Sequence, residues 1–432
     1  MTRFQPAGPL RGTLRPPADK SISHRAALFG AMCDTPVAIR NYLYADDTLS
    51  TLGAIRALGA AVEMQPDELV IRGVGMRAPL STTNELLDVG NSGTLMRLLP
   101  GWLAGQPGGR WRLDGDASIR RRPVDRIARP LEQMGASIGM SPGGKPPFTV
   151  GGAELTGIDY VSDVATAQVK SCVLIAGLMA RGSTSFTEPT RSRDHTERFL
   201  TGARVPFERD GSTVRVWQCD ELELEDIHVP ADPSSAAFFV AASSIVPGSR
   251  IVLEDVGLNW TRTAFFQIAQ RMGAVVLGDL EAPGTDSPDE PIGEVDVAYA
   301  PLEAAEVGGE EVPFAIDELP LVALLGVFAD GETLVRDAAE LRVKETDRIE
   351  SVVEGLRGLG AEIEATADGF VVQGTGRLRG GVFDSRGDHR MAMLGAVAGL
   401  ASDEGVEVLN MTAASVSYPS FESDLRGLLA ES

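Results

Sequence analysis

The chain contains few lysines, histidines, cysteines and aromatic residues. Only four of its 39 basic residues are lysines, and it has four histidines, three cysteines and 6% aromatic residues in 432 positions. Cys33, Cys172 and Cys219 form neither a disulfide framework nor a metal-ligand spacing. We therefore expect no structural metal, no disulfide and a reducing compartment, the cytoplasm.

The chain also lacks long apolar runs and a net positive charge. No segment reaches the length needed to span a bilayer, and residues 1–6 lack the apolar core of a secretion signal. The formal net charge of −22 would repel nucleic acid at long range. The composition, 43% hydrophobic and 23% charged, predicts a soluble globular protein of two or three domains that binds neither membrane nor nucleic acid.

One short stretch concentrates the scarce cations. Residues 20–25 read Lys-Ser-Ile-Ser-His-Arg and are followed by an apolar run. A helix that starts just after Asp19 would expose free N–H groups beside these cations, which favours a phosphate or carboxylate ligand. The alternative is a serine N-cap surrounded by solvated cations.

Two kinds of helix recur along the chain. One ends in Leu/Met-Gly-Ala at Gly59, Gly135, Gly273 and Gly360, with a degraded copy at Gly202-Ala203, and a β-rich stretch follows each copy. A glycine at a helix C-terminus predicts a left-handed residue that closes the last turn. The other helix has a polar start and an Ala/Leu/Val-rich body, and its six copies begin near positions 20, 91, 166, 232, 317 and 388.

These repeats predict six similar α/β units in two domains. The last unit lacks a final strand, and residues 8–14 look like a strand that precedes the first helix. Returning that strand to the C-terminal half predicts a continuous domain, 19–230, and a discontinuous one, 1–18 plus 231–432. We expect a hinge beside a ligand site near Lys20 and Asp232. Residues 281–311 are acidic and rich in Pro and Gly, which predicts a surface excursion without chemistry.

Further charged residues lie at helix starts in both halves. Arg120-Arg121-Arg122 precedes Pro123, which is suited to a first helical turn, and it indicates either an anion clamp or a solvated run. Residues 342–348 alternate in charge, which is typical of an exposed salt-bridged face, although Lys344 and Arg348 would share a helical face. Asp317 is suited to an N-cap or to accepting a proton from a hydroxyl. Together these residues predict a cleft between two domains that closes on a multiply anionic ligand.

The chain closely resembles the enolpyruvyl transferase family of 3-phosphoshikimate 1-carboxyvinyltransferases, the EPSP synthases. The matching stretches run through nearly the whole chain: residues 17–25, 90–97, 121–123, 167–171, 192–197, 341–348 and 388–390. The resemblance implies two similar domains, each of three βαβαββ units in an inside-out α/β barrel, with the active site in the interdomain cleft. It also implies a cytoplasmic, typically monomeric enzyme without a cofactor.

The reaction implied is transfer of the enolpyruvyl group from phosphoenolpyruvate to the 5-hydroxyl of shikimate 3-phosphate, in the shikimate pathway. Shikimate 3-phosphate would be bound by Lys20, Ser21, Arg25, Thr166, Ala167, Gln168, Arg193, Asp317 and Lys344. Phosphoenolpyruvate would be bound by Lys20, Asn91, Gly93, Arg122, Gln168, Arg348 and Arg390. Asp317 would accept the hydroxyl proton, and Glu345 would donate a proton to the methylene carbon with help from Lys20 and His389. We expect His24 to be structural.

The chain departs from the family pattern at Thr166, Glu340 and Val416, where some members carry Ser, Asn and Lys. Gly93 favours sensitivity to the inhibitor glyphosate. The nearest rival is the sister transferase that acts on UDP-N-acetylglucosamine, which usually has a reactive Cys or an Asp where this chain has Ala117. A second rival is a non-catalytic anion-binding protein on the same scaffold.

Overall fold

The computed structural model describes residues 1–65, 68–77, 80 and 86–429, and the chain forms two compact units. The N-terminal unit comprises Ala18–Val229 and Asp286–Glu290, and the C-terminal unit comprises Met1–Pro17, Pro230–Thr285 and Pro291–Ser432. The chain thus passes from one unit to the other four times. The predicted domain limits, 19–230 and 1–18 plus 231–432, stay a prediction.

Two short strands at the N-terminus belong to the C-terminal unit. Strand β1 (Thr2–Phe4) runs antiparallel to residues 406–408, and β2 (Arg11–Leu14) runs parallel to residues 250–253. The predicted return of the first strand to the C-terminal half is therefore observed. Strand β1 supplies the strand that the last repeat lacks.

The N-terminal unit repeats an order of helix, strand, helix and two strands three times. The first copy contains α1 (Lys20–Met32), β3 (Pro36–Arg40), α2 (Asp46–Ala57), β4 (Ala61–Met64) and β5 (Glu68–Arg72). The second contains β6 (Leu86–Asp88), α3 (Gly93–Ala104), β7 (Arg110–Asp114), α4 (Asp125–Met134), β8 (Ser137–Ser141) and β9 (Lys145–Gly151). The third contains β10 (Asp159–Val161), α5 (Ala167–Gly177), β11 (Ser183–Thr187), α6 (His195–Gly202), β12 (Phe207–Asp210), β13 (Thr213–Trp217) and β14 (Ile227–His228).

Each copy contributes most or all of one four-stranded sheet, and β14 at the end of the third copy completes the sheet of the first. The sheet orders are β14-β3-β5-β4, β6-β7-β9-β8 and β10-β11-β13-β12, in which the first pair is parallel and the others are antiparallel. Helix α3 packs against α1 and α5, and nearly every residue of these three helices is buried. Their apolar bodies, without a polar stripe, explain this central position.

The C-terminal unit follows the same order. Its first copy contains α7 (Pro233–Ile245), β15 (Arg250–Gly257), α8 (Ala264–Arg271), β16 (Val275–Leu277) and β17 (Ile292–Ala298). The second contains β18 (Leu302–Glu303), β19 (Glu306–Val307), α9 (Val312–Ala315), α10 (Leu319–Phe328), β20 (Ala329–Asp330), β21 (Glu332–Val335), α11 (Arg348–Gly358), β22 (Glu362–Ala365) and β23 (Phe370–Gln373). The third contains β24 (Gly381–Asp384), α12 (His389–Leu400), β25 (Val406–Leu409) and α13 (Phe421–Gly427).

The sheets of this unit are β16-β17-β15-β2, β19-β21-β23-β22, β1-β25-β24 and a small pair, β18-β20. Helices α7, α10 and α12 contact one another at the centre and are buried along almost their whole length. Within the described ranges, no helix of either unit combines the length and apolar character needed to cross a bilayer.

The predicted helix ends are confirmed at four positions and wrong at the fifth. The φ angles of Gly59, Gly135, Gly273 and Gly360 are +114°, +112°, +96° and +99°. In the degraded copy the left-handed residue is Arg204, with φ of +55°, two positions beyond Gly202. A non-glycine residue can take this conformation at a modest cost, so a search for glycine misplaces the turn.

Two helix starts differ from expectation. The N-cap of α1 is Asp19, whose carboxylate accepts a hydrogen bond from the Ile22 amide at 2.9 Å, so the serine-cap alternative is wrong. Pro123 precedes Val124, the N-cap of α4, and therefore lies outside the first turn. Both differences concern only the residue that caps the start of the helix, and both helices lie where the sequence predicts them.

The interpretation of residues 281–311 as one surface excursion is wrong. Strand β17 lies inside this range and pairs with both β15 and β16 in the sheet of the first C-terminal copy. The short segment Asp286–Glu290 belongs to the N-terminal unit, where Asp286 Oδ1 lies 2.6 Å from Arg191 Nη2 and 3.0 Å from Arg209 Nη1. Asp286 thus pairs with arginines far away in sequence, which local composition does not reveal.

Candidate active site

The starts of the three central helices meet in the N-terminal unit. Arg25 Nη2 of α1 donates to Ser171 Oγ of α5 at 2.8 Å, and Gln168 Nε2 of α5 donates to Thr94 Oγ1 of α3 at 3.1 Å. Helix N-termini carry partial positive charge and free amide groups. Together with the cations Lys20, Arg25 and Arg122, these helix starts form a positively charged region suited to anions. We call this region the N-terminal cluster.

Arg25 is fixed by three hydrogen bonds. Its Nε donates to Thr196 Oγ1 at 2.9 Å and its Nη1 to the Ser21 carbonyl at 3.0 Å, in addition to the bond to Ser171. Burial lowers the pKa of its guanidinium to about 10, although Glu197 and Asp19 oppose this shift. The group therefore remains a preorganised cation at neutral pH.

Lys20 has a carboxylate partner that the sequence analysis missed. Its Nζ lies 3.0 Å from Asp47 Oδ2, and the Asp47 side chain is buried at the start of α2. The two residues are 27 positions apart in sequence, and no local pattern predicts a contact at that separation. The only sequence signal for Asp47 was an acidic pair at a helix start.

Arg122 lies against the start of α3. A Cβ atom placed on Gly93 would come within 2.3 Å of Arg122 Nη1, so glycine allows this close approach. Arg122 is buried whereas Arg120 and Arg121 are exposed, so the triplet is neither wholly a clamp nor wholly a solvated run. Asn91 Nδ2 donates to Asp116 Oδ2 at 2.6 Å, on the loop that precedes these arginines.

Gln168 has a second partner that was not predicted. Arg97 Nη1 donates to Gln168 Oε1 at 3.0 Å and to the Gly93 carbonyl at 3.3 Å. Arg97 stood in a matched motif without a role. It links the predicted phosphoenolpyruvate residues Gly93 and Gln168 through one guanidinium group.

His24 is buried between α1 and its neighbours, which agrees with a structural role. Its Nδ1 lies 2.7 Å from Thr51 Oγ1 and its Nε2 lies 3.4 Å from Ser92 Oγ. Burial, with smaller contributions from Lys20 and Arg25, holds its pKa well below the ordinary 6.5. The folded protein therefore keeps this imidazole neutral when an unfolded chain would protonate it.

This shift predicts a pH dependence of stability. Below pH 6.5 the unfolded chain gains a proton on His24 that the folded chain does not, so the free energy of unfolding falls by up to about 1.4 kcal/mol per pH unit. Urea denaturation of the protein and of His24→Asn at pH 7.5 and pH 5.5 measures the difference. The variant should lose less stability between the two pH values; equal losses would contradict the buried neutral histidine.

In the C-terminal unit, Asp317 lies among three cations. Its Oδ1 is 3.2 Å from Lys344 Nζ and 3.1 Å from Arg348 Nη1, and its Oδ2 is 3.9 Å from Arg390 Nη2. The N-cap of α10 is Glu318, so Asp317 precedes the helix rather than capping it. We call Asp317 and these cations, with Glu345 and His389, the C-terminal cluster.

Arg348 organises this cluster. It donates from Nε to Asp388 Oδ2 at 2.8 Å and from Nη2 to Glu345 Oε2 at 2.7 Å, and its side chain is 1% exposed. Burial opposes its charge, but Asp388, Glu345 and Asp317 outweigh burial and raise the pKa of the guanidinium above its ordinary value. Asp388, to which no role had been assigned, is a central anchor.

The interpretation of Lys344 and Arg348 as residues on one helical face is wrong. Lys344 has an extended backbone after the 3-10 helix Ala339–Val343, and α11 begins only at Arg348 with Asp347 as N-cap. The two cations nevertheless approach the same oxygen of Asp317. Arg348 is also buried, so an exposed salt-bridged face is excluded for this residue.

Arg390 and His389 begin α12. Arg390 Nη1 donates to Glu318 Oε1 at 3.1 Å and to the Asp317 carbonyl at 3.3 Å, while the buried His389 has its Nδ1 3.9 Å from Asp388 Oδ1. Glu318 was noted only as a helix-start residue. Here it positions the arginine beside Asp317.

The structure divides the predicted site residues between the two units. The N-terminal unit holds Lys20, Ser21, Arg25, Asn91, Gly93, Arg122, Thr166, Ala167, Gln168 and Arg193. The C-terminal unit holds Asp317, Lys344, Glu345, Arg348, His389 and Arg390. Among the residues that the structure describes, no group of three or more His, Cys, Asp or Glu side chains is arranged to hold a metal ion.

Comparison with known proteins places this geometry in context. The sequence profile of the family described as EPSP synthase (3-phosphoshikimate 1-carboxyvinyltransferase) matches residues 4–425. Among curated relatives, the 3-phosphoshikimate 1-carboxyvinyltransferase of Bacillus subtilis (strain 168) is 47% identical over 98% of each chain. That of Desulfitobacterium hafniense (strain DCB-2) is 46% identical over 97% of this chain and 95% of the relative.

Solved structures show the same likeness. EPSP synthase from Acinetobacter baumannii superposes with a TM-score of 0.85 at 37% identity, covering 99% of this chain and 98% of that one. The enolpyruvyl transferase NikO from Streptomyces tendae has a TM-score of 0.78 at 19% identity, with 99% and 96% of the chains covered, and at this identity it shows a shared fold alone. The predicted α/β class, two similar halves of repeated units, is confirmed by these superpositions.

Proposed function

Because this chain belongs to the EPSP synthase (3-phosphoshikimate 1-carboxyvinyltransferase) family, an enolpyruvyl transferase family, we propose how its residues perform that transfer. The acceptor is the 5-hydroxyl of shikimate 3-phosphate, the donor is phosphoenolpyruvate, and the second product is phosphate. The observation that supports the proposal most strongly is Asp317 beside two cations, Lys344 and Arg348, which places a carboxylate next to groups that attract anions.

The N-terminal cluster supplies most contacts to shikimate 3-phosphate in this proposal. Its helix starts and cations complement a phosphate and a ring carboxylate. The residues are Lys20, Ser21, Arg25, Thr166, Ala167, Gln168 and Arg193, joined by Asp317 and Lys344 of the C-terminal cluster. Arg25 supports this assignment best because it is immobilised by three hydrogen bonds before any substrate arrives.

Phosphoenolpyruvate carries a phosphate and a carboxylate, so it needs guanidinium groups from several directions. We assign to it Lys20, Asn91, Gly93, Arg122 and Gln168 from the N-terminal unit, with Arg348 and Arg390 from the C-terminal unit. The close approach of Arg122 to the Gly93 backbone supports this pairing. The bond from Arg97 to Gln168 orients the amide.

The transfer proceeds by addition and elimination. Asp317 takes the proton of the 5-hydroxyl while that oxygen bonds to C2 of phosphoenolpyruvate, and Glu345, assisted by Lys20 and His389, protonates the methylene carbon. A tetrahedral intermediate results, bearing phosphate and carboxylate, and fixed cations stabilise its charge. Glu345 then takes a proton back from the new methyl group, and the departing phosphate takes the proton held by Asp317. The double bond is restored, and the acid and the base return to their starting states.

A phosphate-release assay tests the proposal. Phosphate should appear when both shikimate 3-phosphate and phosphoenolpyruvate are present, and neither substrate alone should release it. Release only with UDP-N-acetylglucosamine and phosphoenolpyruvate would establish the sister activity instead, which the relatives' names do not favour. Binding without turnover would establish the non-catalytic alternative.

We further propose that the enzyme acts as a monomer in the cytoplasm and needs no cofactor. The addition and elimination steps balance with one acid and one base, and they transfer no electrons to an external acceptor. The strongly negative net charge is consistent with small-molecule substrates rather than nucleic acid. Light scattering after size-exclusion chromatography should give the mass of one 45.7 kDa chain; a doubled mass would contradict the monomer.

A further inference from the structure

A buried group of three charged residues lies behind the start of α5. Lys170 Nζ is 2.9 Å from Glu188 Oε1 and 2.8 Å from Glu197 Oε1, and no side chain of the three is more than 3% exposed. We call these three residues the Lys170 cluster. They have no place in the mechanism above, and the sequence analysis gave them no role.

Glu188 holds backbone on both sides of the cluster. Its Oε2 accepts a hydrogen bond from the Thr166 amide at 3.1 Å, and its Oε1 accepts one from the Ser192 amide at 3.2 Å. Lys170 Nζ donates to the Ser192 carbonyl at 3.4 Å, so Ser192 is held at both of its backbone groups. The first segment carries Thr166 to Gln168 and the second precedes Arg193, all of which we assign to shikimate 3-phosphate.

Glu197 contacts the same lysine but differs in what else it touches. Its Oε1 lies 3.3 Å from Arg209 Nη2, and no hydrogen bond joins its carboxylate to Thr166 or to Ser192 within the described part of the chain. The two glutamates therefore share charge, burial and partner. They differ in their attachment to the backbone of the N-terminal cluster.

Stability alone does not explain such a cluster. Moving three charges out of water costs several kcal/mol per ion, and apolar residues of similar volume stabilise a core as well or better. Burial lowers the pKa of Lys170, but Glu197 and Glu188 outweigh it and raise the pKa above its ordinary value, so the lysine stays charged. A buried lysine that contacts Glu188, whose carboxylate also accepts two backbone hydrogen bonds, gives the adjacent backbone one fixed geometry.

We propose that Lys170 and Glu188 are positioning residues for shikimate 3-phosphate, whereas Glu197 contacts Lys170 and Arg209 without holding the backbone of the site. Glu188 holds the Thr166 amide and the loop before Arg193 at the spacing that the substrate requires, and Lys170 orients Glu188. The inference rests on the proposed function, since it assigns the positioned segments to shikimate 3-phosphate. It predicts a larger effect on shikimate 3-phosphate than on phosphoenolpyruvate, which shares only Gln168 of the positioned residues.

The test compares Glu188→Gln with Glu197→Gln, which make the same chemical change on two partners of one lysine. Glu188→Gln should raise KM for shikimate 3-phosphate by about 10- to 100-fold, the usual effect of losing a hydrogen bond to a charged group. KM for phosphoenolpyruvate should rise by a clearly smaller factor, because Gln168 is the one positioned residue that it shares. Glu197→Gln should leave both KM values within about 3-fold, because it removes no bond to the site backbone.

Glu188→Asp tests whether the length of the side chain matters when the carboxylate is kept. It keeps the ion pair with Lys170 but is one methylene shorter, so it cannot bridge the Thr166 and Ser192 amides together. Calorimetric binding of shikimate 3-phosphate should weaken at least about 10-fold in this variant, and the measurement also serves if Glu188→Gln does not fold. Binding unchanged in Glu188→Asp, or equal KM changes in the two Gln variants, would overturn the positioning role.

These outcomes are distinct from failure of the proposed function. If the unaltered protein releases no phosphate from the two substrates, the proposed function fails and the positioning inference fails with it. If the unaltered protein is active and the glutamate variants behave alike, only the positioning inference fails.

Discussion

Asp317→Ala is expected to lower kcat by about 10²- to 10⁴-fold, the range associated with loss of a general base. The substitution removes the carboxylate that we propose as the acceptor of the hydroxyl proton, while Arg25 and the helix starts of the N-terminal cluster remain. Shikimate 3-phosphate should therefore still bind, with an affinity reduced far less than kcat. Steady-state kinetics and calorimetry on the same preparation measure the two quantities.

Asp317→Asn and Asp330→Ala complete this experiment. Asn keeps the size of the side chain and an acceptor for Lys344 but cannot take a proton, so its kcat should fall as far as that of the alanine variant. Asp330 is an exposed carboxylate of the same unit, and its removal should leave kcat unchanged. Near-normal turnover in Asp317→Asn would remove Asp317 from the role of base.

Arg348→Met is expected to damage both stability and phosphoenolpyruvate binding. The change leaves Asp388, Glu345 and Asp317 facing a site from which the shared cation has gone. Removing one partner of a buried ion pair costs about 3–5 kcal/mol. Urea denaturation should show a loss of this order, and kcat/KM for phosphoenolpyruvate should fall more than about 100-fold.

Arg348→Lys and Arg357→Met provide the comparison. Lysine restores the charge but not the planar guanidinium that reaches Asp388 and Glu345 together, so stability should recover more than activity. Arg357 lies on the same helix, α11, and is exposed, so its replacement should cost less than about 1 kcal/mol. A stable, fully active Arg348→Met variant would show that the C-terminal cluster does not depend on this residue.

The sequence predicted the repeated elements well because their signals are local. The start of α1 after Asp19 and the glycine ends at Gly59 and Gly360 follow from capping and from the left-handed conformation, which neighbouring residues determine. The left-handed residue expected at Gly202 was misplaced because the same local rule considers only glycine. Arg204 adopts the conformation that the pattern reserved for glycine.

Contacts between distant segments could not be predicted in this way. Strand β1 completes the last sheet, and Asp286 pairs with two arginines of the N-terminal unit, yet periodicity carries no information about either partner. The same limit applies to Asp47 beside Lys20. Charge patterns and the family resemblance identified the cations of the site together with Asp317 and Glu345, whereas the carboxylate that holds Lys20 emerged only from the three-dimensional structure.

The roles of the site residues were predicted from the family resemblance and not from residue chemistry alone. Asp317 and Glu318 are adjacent carboxylates near a helix start, and both contact arginine. Local sequence gives no reason to choose one as the base. In the structure the two carboxylates differ in their cation contacts. Lys344 and Arg348 approach Asp317, whereas Arg390 Nη1 lies 3.1 Å from Glu318.

The central claim, group transfer between these two substrates, is tested most directly by phosphorus NMR of one reaction mixture. The account predicts that phosphoenolpyruvate and shikimate 3-phosphate disappear at the same rate. Inorganic phosphate and one new phosphomonoester, the enolpyruvyl ether, should appear at that rate too. Phosphate formed while shikimate 3-phosphate stays unchanged, or no reaction of the pair, would contradict the account.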